Sequence, residues 1–427
     1  MNEIYIKELK EYSKEYILNL MNKESFYKLI ENDYIKKIDN NHFKFNFVGV
    51  IIVDNYIIKC YPKYISKKDS LKNDFNQTMK VIKKYKNLYE DYSFENENLE
   101  DISFNKLSMM IYFLEDYYEN GVYTNVQNIR EINGNGEMDW DKTINNIDPI
   151  LKDNKPYYGE LYTKYKINDL YDYFRLLHEY IITECSKFLQ KNELLDLFDL
   201  TPVQLSDMER IDFGEDEYIL ERLEKELNVE FNSHKRKLLK SMYAFISKNN
   251  SFTQEDYLTL YGTGSYHVIW EDICSRVFSN KLNKFKDVIK KPKWITRDGF
   301  THETLKTFEP DIVTYLDGTF IILDAKYYNL TFNKDKLSGE PGLGDITKQY
   351  LYQLALEEAQ NKYDNVKNAL LFPKYDGEIE RLGCVDIEIL SGLDLEKIQI
   401  IKLPAGKMNE YYLDNQNKLD LLFWKLC

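Results

Sequence analysis

The residues best suited to chemistry lie in one short segment, FEPDIVTYLDGTFIILDAKY, at positions 308–327. Two runs rich in β-branched and aromatic residues flank Asp317-Gly318, a dipeptide that suits the left-handed backbone conformations of a two-residue hairpin turn. The segment therefore predicts a β-hairpin. If Leu316 and Thr319 flank the turn, the register of every further pair along the two strands is fixed.

That register brings three ionisable side chains together. Asp311 falls opposite Asp324, and Lys326 shares their face and lies across from Glu309, because side chains alternate along a strand. Directly opposed residues have Cβ atoms roughly 4.5–5.5 Å apart, so two ionised carboxylates repel unless a positive charge lies between them. The alternative to a functional site is a surface hairpin whose acid pair is relieved by Lys326 alone.

A divalent cation would resolve the repulsion between the two aspartates. Oxygen ligands without His or Cys favour Mg²⁺, with Mn²⁺ as a substitute. Such an ion can polarise a phosphodiester oxygen and acidify a bound water, while Lys326 orients that water or offsets charge on the phosphorane. The chemistry expected of this hairpin is metal-assisted hydrolysis of a phosphodiester.

The same residues match a family pattern. Glu309-Pro310-Asp311 followed by Asp324-Ala325-Lys326 resembles the PD-(D/E)XK nuclease core, although Asp324 stands where many of those nucleases have glutamate. Its shorter side chain leaves the metal geometry open. Further segments resemble the LlaJI-type restriction endonucleases, relatives of the McrC nuclease subunit: FVGVI at 47–51, Pro62-Lys63, LEDYYENGVYTN at 114–125, GEMDWDKTI at 136–144, Tyr261-Gly262-Thr263, HVIWE at 267–271 and GDITKQYLYQ at 344–353.

The resemblance implies a role for each matching residue. Asp311 and Asp324 would bind the metal, Lys326 would assist hydrolysis, and Glu271 would add a further acid and metal ligand. On periodicity alone Glu271 lies at the edge of the apolar stripe of a helix predicted from Tyr266 to about residue 280, where a side chain faces either a site or water. The resemblance also implies a separate AAA+ GTPase of the McrB type that docks on the N-terminal half.

A second helix is predicted after the loop SGEPGLG, with Asp345 as its N-cap and an end near residue 363. Lys348 and Gln349 then fall in its first turn, where backbone N–H groups and the helix dipole favour an anion, and Tyr352 lies one turn on. An ordinary exposed turn fits the spacing equally well. With the resemblance, these three residues are predicted to contact DNA or to assist the site.

A basic segment offers a surface for DNA. The chain carries 71 Asp and Glu against 57 Lys and Arg, a net charge of -14, so general binding to polyanions is excluded and any contact must be local. Residues 281–297 hold one acid, Asp287, and seven basic residues: Lys281, Lys284, Lys286, Lys290, Lys291, Lys293 and Arg297. On its own this segment fits a solvated face as well as a phosphate-contacting surface.

The length of 427 residues, with 43% hydrophobic residues, predicts two or three folded domains. Dense acidic charge before residue 230 suggests a boundary there. Further β runs at 368–372, 384–390 and 397–403 extend the hairpin into a mixed sheet. The predicted fold class is α/β, with a PD-(D/E)XK nuclease domain at 231–427, its sheet flanked by helices, after an α+β region at 1–230 that docks a partner or positions DNA.

Other classes of protein are excluded by what the sequence lacks. The longest strongly apolar run, 47–53, spans seven residues, and no signal peptide precedes it, so no membrane span is expected. The five cysteines are scattered without a CxxC pair, which predicts reduced thiols in the cytoplasm. The sequence contains no G-x-x-x-x-G-K-[ST] loop, which argues against nucleotide hydrolysis by this chain.

The function predicted from the sequence is that of a Mg²⁺-dependent DNA endonuclease, the cleavage subunit of a restriction system, acting on double-stranded DNA. Two alternatives stay open. One is a DNA-binding scaffold that keeps the nuclease fold without turnover. The other is a DNA repair nuclease with the same chemistry.

Overall fold

The computed structural model of the protein describes residues 1–67, 69–89, 105–247, 258–303 and 308–426. The α-helices within these residues are α1 (Lys14–Leu20), α2 (Lys23–Glu31), α3 (Leu71–Tyr89), α4 (Lys106–Asn120), α5 (Trp140–Asn146), α6 (Tyr173–Lys191), α7 (Asp216–Val229), α8 (Ser233–Ser247), α9 (Tyr266–Val277), α10 (Leu343–Ala355), α11 (Glu357–Gln360), α12 (Ala405–Leu413) and α13 (Leu419–Leu426).

The β-strands of the same residues are β1 (Asn2–Lys7), β2 (Glu11–Ser13), β3 (Ile35–Lys37), β4 (His42–Phe45), β5 (Val48–Val53), β6 (Tyr56–Tyr61), β7 (Val126–Ile132), β8 (Glu137–Met138), β9 (Ile150–Lys152), β10 (Lys155–Tyr157), β11 (Tyr162–Asn168), β12 (Leu258–Thr263), β13 (Lys293–Ile295), β14 (Thr301–Glu303), β15 (Ile312–Leu316), β16 (Thr319–Ala325), β17 (Thr331–Phe332), β18 (Leu337–Ser338), β19 (Asn365–Lys374), β20 (Glu380–Val385) and β21 (Ile398–Pro404). Helices and mixed sheets confirm the α/β class.

One strand near the start of the chain, β5, pairs with a strand more than 200 residues later. β5 is buried at every position and needs a partner on each side; it has β6 across a tight turn on one side and β12 on the other, both antiparallel. Gly49 pairs with Gly262, and a Cβ on Gly49 would lie 2.2 Å from the carbonyl oxygen of Tyr261. No side chain fits at this approach of two backbones.

This pairing explains how the chain divides. One compact unit comprises residues 1–91 together with 255–427, and the other comprises residues 92–254. The division differs from the boundary predicted near residue 230, because strand pairing across the sequence places the N-terminal sheet in the same unit as the C-terminal part. Dense surface charge before residue 230 did not mark this division, since charge reports solvent exposure rather than strand pairing.

A five-stranded mixed sheet, in the order β15-β16-β19-β21-β20, carries the hairpin. The three central strands, β16, β19 and β21, run parallel to one another. The edge strands β15 and β20 are antiparallel to the strands they pair with. The predicted hairpin register is confirmed from Leu316 opposite Thr319 to Ile312 opposite Leu323. Asp317 and Gly318 both have positive φ angles, 45° and 72°, as a two-residue turn of this kind requires.

One face of this sheet is covered by α10 and the residues that follow it. Val313, Phe320 and Ile322 are buried in a cluster with Ala355 and Leu356. Burial of each such side chain contributes about 1.5–3 kcal/mol to the stability of the folded protein, and this holds the hairpin against the helix. Because side chains alternate, the residues on this same face beyond Ile322 are positions 324 and 326. The apolar face of the hairpin therefore ends at the predicted site.

The second unit, described by itself, combines helices with a small antiparallel sheet in the order β7-β11-β8 and a β9-β10 hairpin. In the whole described part of the chain, no helix has both the length and the apolar character that a bilayer crossing requires. Among the described cysteines, Cys60, Cys185 and Cys274 are buried free thiols, and Cys384 is exposed.

Candidate active site

Asp311 lies immediately before β15 and is tied to the opposite strand. Its Oδ2 accepts a hydrogen bond from the backbone N–H of Ala325 at 2.8 Å. The ladder itself begins one residue later, at Ile312, so Asp311 is not a ladder partner of Asp324. This hydrogen bond orients the Asp311 carboxylate toward the end of β16, where Asp324 lies.

Asp324 and Lys326 form the centre of the site. Asp324 is 3% exposed, and its Oδ2 lies 2.7 Å from Lys326 Nζ. At this distance the Lys326 ammonium is a charge partner for the buried carboxylate. An ionised carboxylate has about four lone-pair sites, so Asp324 can also ligate a cation beside Lys326.

Asp345 is a fourth acid at the site that the motif did not assign to it. Its Oδ1 lies 3.4 Å from Lys326 Nζ, so the ammonium lies near two carboxylates. The sequence predicted Asp345 as an N-cap, which is wrong: α10 begins at Leu343 with Gly342 as its cap, and Asp345 is in the first turn. Glu309, predicted across from Lys326, forms an ion pair with Lys286 at 3.8 Å.

Glu271 reaches the site from α9. The predicted apolar stripe of this helix is buried, with Trp270, Ile273 and Cys274 each at most 1% exposed, and Glu271 is half-buried at its edge. Burial raises the pKa of Glu271, and the negative charge of Asp324 raises it further. The fold thus brings Glu271 within electrostatic reach of Asp324 although the two are 53 positions apart in the sequence.

The electrostatics of the site reflect acids that lie close together and are partly or fully shielded from water. Burial and the charges of Asp324 and Glu271 raise the pKa of Asp311 to about 7. Burial also raises the pKa of Asp324, against the opposing effect of Lys326. For Lys326, burial alone would lower the pKa, but Asp324 outweighs it and the pKa is raised overall, so this lysine is a stable ammonium.

The three residues predicted on α10 differ in position. Tyr352 lies on the face toward the site: burial, with Asp324 and Asp311 next, raises the pKa of its hydroxyl to about 12. Lys348 is exposed, and its charge lowers the pKa of Asp324. Gln349 is fully buried, and its Nε2 donates to Asn368 Oδ1 at 2.7 Å. In this conformation Gln349 packs inside the sheet–helix layer and does not face a DNA phosphate.

Lys348 and Gln349 lie outside the first turn of α10. Since α10 begins at Leu343, both residues fall in its second turn, whereas the unpaired backbone N–H groups belong to the first. The helix also ends at Ala355, earlier than the predicted residue 363, and α11 follows. An anion held by backbone amides at Lys348 is therefore not supported, and Lys348 offers its ammonium alone.

The basic segment is exposed and partly paired within the protein. Lys290, Lys291, Lys293 and Arg297 all have exposed side chains, and Lys290 Nζ lies 2.7 Å from Glu357 Oε2. β13 and β14 form a small hairpin here, whose Trp294 and Phe300 are 69% and 70% exposed. Large exposed aromatic side chains beside positive charges suit contact with a nucleic acid or another macromolecule.

Comparison with known proteins assigns a family. Residues 47–406 match the model of the LlaJI restriction endonuclease family. The chain belongs to this family. It is also 30% identical over 391 residues to a protein of Bacillus subtilis (strain 168) named Type II restriction enzyme BsuMI component YdjA, covering 87% of this chain and 81% of that protein. The family resemblance predicted from the motifs is confirmed.

Two solved structures from Thermococcus gammatolerans are also similar at 13% identity. One is a half-complex from a tetradecameric assembly of McrB AAA+ hexamers with bound McrC, with a TM-score of 0.42 over 97% of this chain and 100% of that chain. The other is a cryo-EM structure of the McrBC complex, with a TM-score of 0.28 over 65% of this chain and 87% of that one. Similarity at this level supports no conclusion about partners.

The donor set of this LlaJI-family chain fits Mg²⁺. Asp324 is buried and Asp311 is half-buried, and both offer only oxygen ligands. Mg²⁺ commonly takes one or two carboxylates and keeps several waters. Asp311, Asp324 and Glu271 do not form a group of three whose ligand atoms all lie within 4.8 Å; among the described residues, that property belongs to Glu11, Asp39 and His42. The three acids would therefore share one ion only through coordinated waters or after side-chain rotation.

Proposed function

We propose that this chain is a Mg²⁺-dependent DNA endonuclease, with Mn²⁺ as a substitute metal, and the cleavage subunit of a restriction system. The observation that carries the proposal is the pair of aspartates, half-buried Asp311 and buried Asp324, beside Lys326 at the end of one hairpin. Membership of the LlaJI restriction endonuclease family supports the reaction class. The mixed sheet and the acid-lysine spacing support a PD-(D/E)XK core.

Each residue of the site has a distinct task in this proposal. Asp311 and Asp324 hold the metal through carboxylate oxygens, and Glu271 adds a further acid to the coordination or to its waters. Bound there, Mg²⁺ would polarise a phosphodiester oxygen and lower the pKa of a coordinated water. Lys326, kept charged by Asp324, donates to the attacking water or to an oxygen on which negative charge develops.

Duplex DNA would lie along the basic segment. Lys290, Lys291, Lys293 and Arg297 supply positive charge for backbone phosphates, with Lys348 and Tyr352 nearer the acids. Gln349, buried against Asn368, supports α10 from inside rather than contacting DNA. Contacts of this kind position the duplex and carry no sequence information of their own.

The chain would work with a partner in the cytoplasm. The name of the Bacillus subtilis relative calls that protein a component of a Type II restriction enzyme, and we infer that this chain is likewise one component of several. An AAA+ GTPase of the McrB type would supply nucleotide hydrolysis, for which this sequence has no G-x-x-x-x-G-K-[ST] loop. We place its docking surface within residues 1–230 and the cleavage chemistry within 231–427.

A plasmid cleavage assay tests the proposal. The purified chain, its candidate GTPase, GTP and Mg²⁺ are incubated with methylated and with unmethylated plasmid. Cutting of either substrate that is abolished by EDTA is the expected result. No cutting of either plasmid under any combination of partner and metal would reject the enzyme and favour a silent scaffold; cutting confined to free ends would favour a repair nuclease.

A charge-reversal variant tests the DNA surface separately. Replacing Lys290, Lys291, Lys293 and Arg297 by Glu should weaken DNA binding. The slope of log affinity against log salt concentration should become shallower by about 0.9 for each phosphate that is no longer neutralised. Reversal of four exposed lysines of the N-terminal region outside this segment, Lys10, Lys23, Lys36 and Lys37, is the matched control. Equal losses of affinity in both variants would show that charge in general, rather than this segment, binds DNA.

A further inference from the structure

A buried polar network lies directly behind Lys326 and connects it to the first residues of the chain. Tyr327 follows Lys326, and its hydroxyl donates to the carboxylate of Glu8. The backbone carbonyl of Tyr327 accepts from Lys63 Nζ at 2.6 Å. Glu8 Oε1 also accepts from the backbone N–H of Lys63 at 3.0 Å. These hydrogen bonds close a ring that joins Tyr327 to two residues far earlier in the sequence.

Two ionisable side chains of the network lie in surroundings that disfavour their charged forms. Glu8 is 5% exposed, and burial raises the pKa of its carboxyl; burial likewise lowers the pKa of the Lys63 ammonium. The ammonium also lies 4.2 Å from the centre of the Tyr327 ring, over its face. An apolar contact would hold a sheet together at lower cost, whereas a satisfied polar network fixes one geometry.

The same network reaches the helix that carries Glu271. Tyr64 follows Lys63, and its hydroxyl lies 3.2 Å from that of Tyr266, the first residue of α9. The rings of Tyr266 and Tyr327 are 5.4 Å apart. The segment at residues 63 and 64 thus contacts both elements that bring side chains to the site, the end of β16 and the start of α9.

We propose that Lys63 and Glu8 are positioning residues of the hydrolytic site, fixing the backbone after Lys326 and so the direction of the Lys326 side chain. This inference rests on the proposed function. The Lys326 N–H donates to the carbonyl of Leu371 at 2.8 Å, which anchors one side of the residue. Lys63 anchors the other side, because the Tyr327 carbonyl accepts from it.

The placement of Lys326 matters because its neighbours compete for it. In this arrangement its ammonium lies 2.7 Å from Asp324 and 3.4 Å from Asp345. A backbone released at Tyr327 would let the ammonium follow either carboxylate away from a substrate oxygen. A misplacement of about 1 Å at a reacting group can cost roughly 10²-fold in rate.

The test compares Lys63→Met with Lys63→Arg in the full chain with its partner. Lys63→Met removes the donor to Tyr327, and kcat for DNA cleavage should fall roughly tenfold or more. KM for DNA should stay within about twofold, because the basic segment is untouched. Lys63→Arg keeps a cation on the carbonyl and should restore most of the rate. Cleavage by Lys63→Met at the rate of the unmodified protein would overturn the proposal.

Lys84 provides a matched control for general loss of stability. Its Nζ donates to the carbonyl of Tyr412 at 2.6 Å and lies 4.9 Å from the centre of that ring, the same kind of contact at the end of α12. Lys84→Met should leave kcat within about twofold. An equal fall in kcat for Lys84→Met and Lys63→Met would reduce the role of Lys63 to structural support and overturn the inference.

Tyr327→Phe and hydrogen exchange keep the inference testable in other outcomes. Should Lys63→Met fail to fold, Tyr327→Phe, which removes only the hydroxyl that donates to Glu8, decides: a folded variant with lowered kcat supports the proposal, and one with unchanged kcat overturns it. Amide exchange of the peptide at 324–328 needs no activity. Faster exchange in Lys63→Met than in Lys84→Met is expected, even if the unmodified chain cuts nothing; equal exchange would contradict the proposal.

Discussion

Two groups of carboxylates in the unit of residues 1–91 and 255–427 differ in their exposure to water: one lies on the surface, and the other is largely shielded. Glu11, Asp39 and His42 lie on the surface of the small β2-β4-β3 sheet, with His42 Nδ1 2.8 Å from Asp39 Oδ2 and 3.6 Å from Glu11 Oε1. A backbone hydrogen bond from Asn41 and the His42 ring lower the pKa of Asp39.

At the hairpin the pKa shifts have the reverse sign. Burial raises the pKa of both Asp311 and Asp324, and the negative charge of Asp324 raises the pKa of Asp311 further. The surface group is geometrically tighter, with all three ligand atoms within 4.8 Å, yet its own hydrogen bonds already satisfy it. Tight spacing alone therefore does not indicate function. Acids that lie close together away from water, with raised pKa values, are the better indicator.

Cleavage activity should separate the two groups most strongly. Asp311→Asn, Asp324→Asn and Lys326→Ala each remove a group that the chemistry needs, and we expect cleavage to fall by roughly 10³-fold or more. Asp39→Asn, the matched change in the surface group, should leave the rate within about twofold. The rates are measured on plasmid DNA at saturating Mg²⁺, with circular dichroism to check folding. A loss of rate in Asp39→Asn similar to that in Asp311→Asn would remove the distinction.

Metal affinity should depend on pH at the buried group. With its pKa at about 7, Asp311 holds a proton below neutral pH that a metal must displace, so the Mn²⁺ affinity should fall about tenfold for each pH unit below 7 and level off above it. Calorimetric titration at several pH values, reaching about 1.5 units to each side of this pKa, measures the effect. In Asp311→Asn the pH dependence should disappear along with most of the affinity. A flat affinity in the unmodified chain would show that Asp311 is not a ligand.

Stability without metal should rise when the buried charge is removed. The folded-state pKa of Asp311 lies above its ordinary value of 3.8, so the stability from this group is complete below about pH 4 and is lost as pH rises through about 7. Asp311→Asn keeps the acceptor for the Ala325 N–H and should raise the free energy of unfolding at pH 8 by on the order of 1–3 kcal/mol, with no gain at pH 4. Urea denaturation at both pH values measures it. A loss of stability at pH 8 would mean that the carboxylate is well solvated.

The smallest effect is expected at the surface group itself. The hydrogen bond that the His42 ring donates to the Asp39 carboxylate raises the pKa of His42, which remains exposed to solvent. Asp39→Asn should move the His42 pKa down toward its ordinary value, as followed by NMR titration of the ring, while cleavage stays unchanged. A His42 pKa that does not move would show that the ring and the carboxylate do not interact in solution.

The hairpin register could be predicted from the sequence because it depends on local chemistry. Asp317 and Gly318 accept positive φ, and with the turn fixed each partner along the ladder follows. Asp311 and Asp324 were therefore found together from spacing, and Glu271 and the family from motifs.

Contacts between distant segments could not be predicted in this way. Asp345 lies beside Lys326, and Lys63 donates to the Tyr327 carbonyl, because separate elements pack against each other. The periodicity of the sequence does not show how such elements are oriented. Gln349 was predicted at the surface and is buried. The reason is that α10 begins at Leu343, before the predicted N-cap Asp345, and this turns the Gln349 side chain inward.

The apolar run at 384–390 shows a further limit. It was predicted as a strand, but β20 ends at Val385 and a 3₁₀ helix follows at Glu388–Leu393. A short apolar run at the edge of a sheet fits strand or helix equally well by periodicity. The central strands β19 and β21 were predicted within a few residues, since their runs are buried between two neighbours.

The metal site at the hairpin can be located in a crystal structure with Mn²⁺ by the anomalous signal of the ion. We expect a peak bound by carboxylate oxygens of both Asp311 and Asp324, with Lys326 Nζ near a coordinated water, and loss of that peak in Asp324→Asn. A peak confined to Glu11, Asp39 and His42, with the hairpin acids still paired only to Lys326, would contradict it.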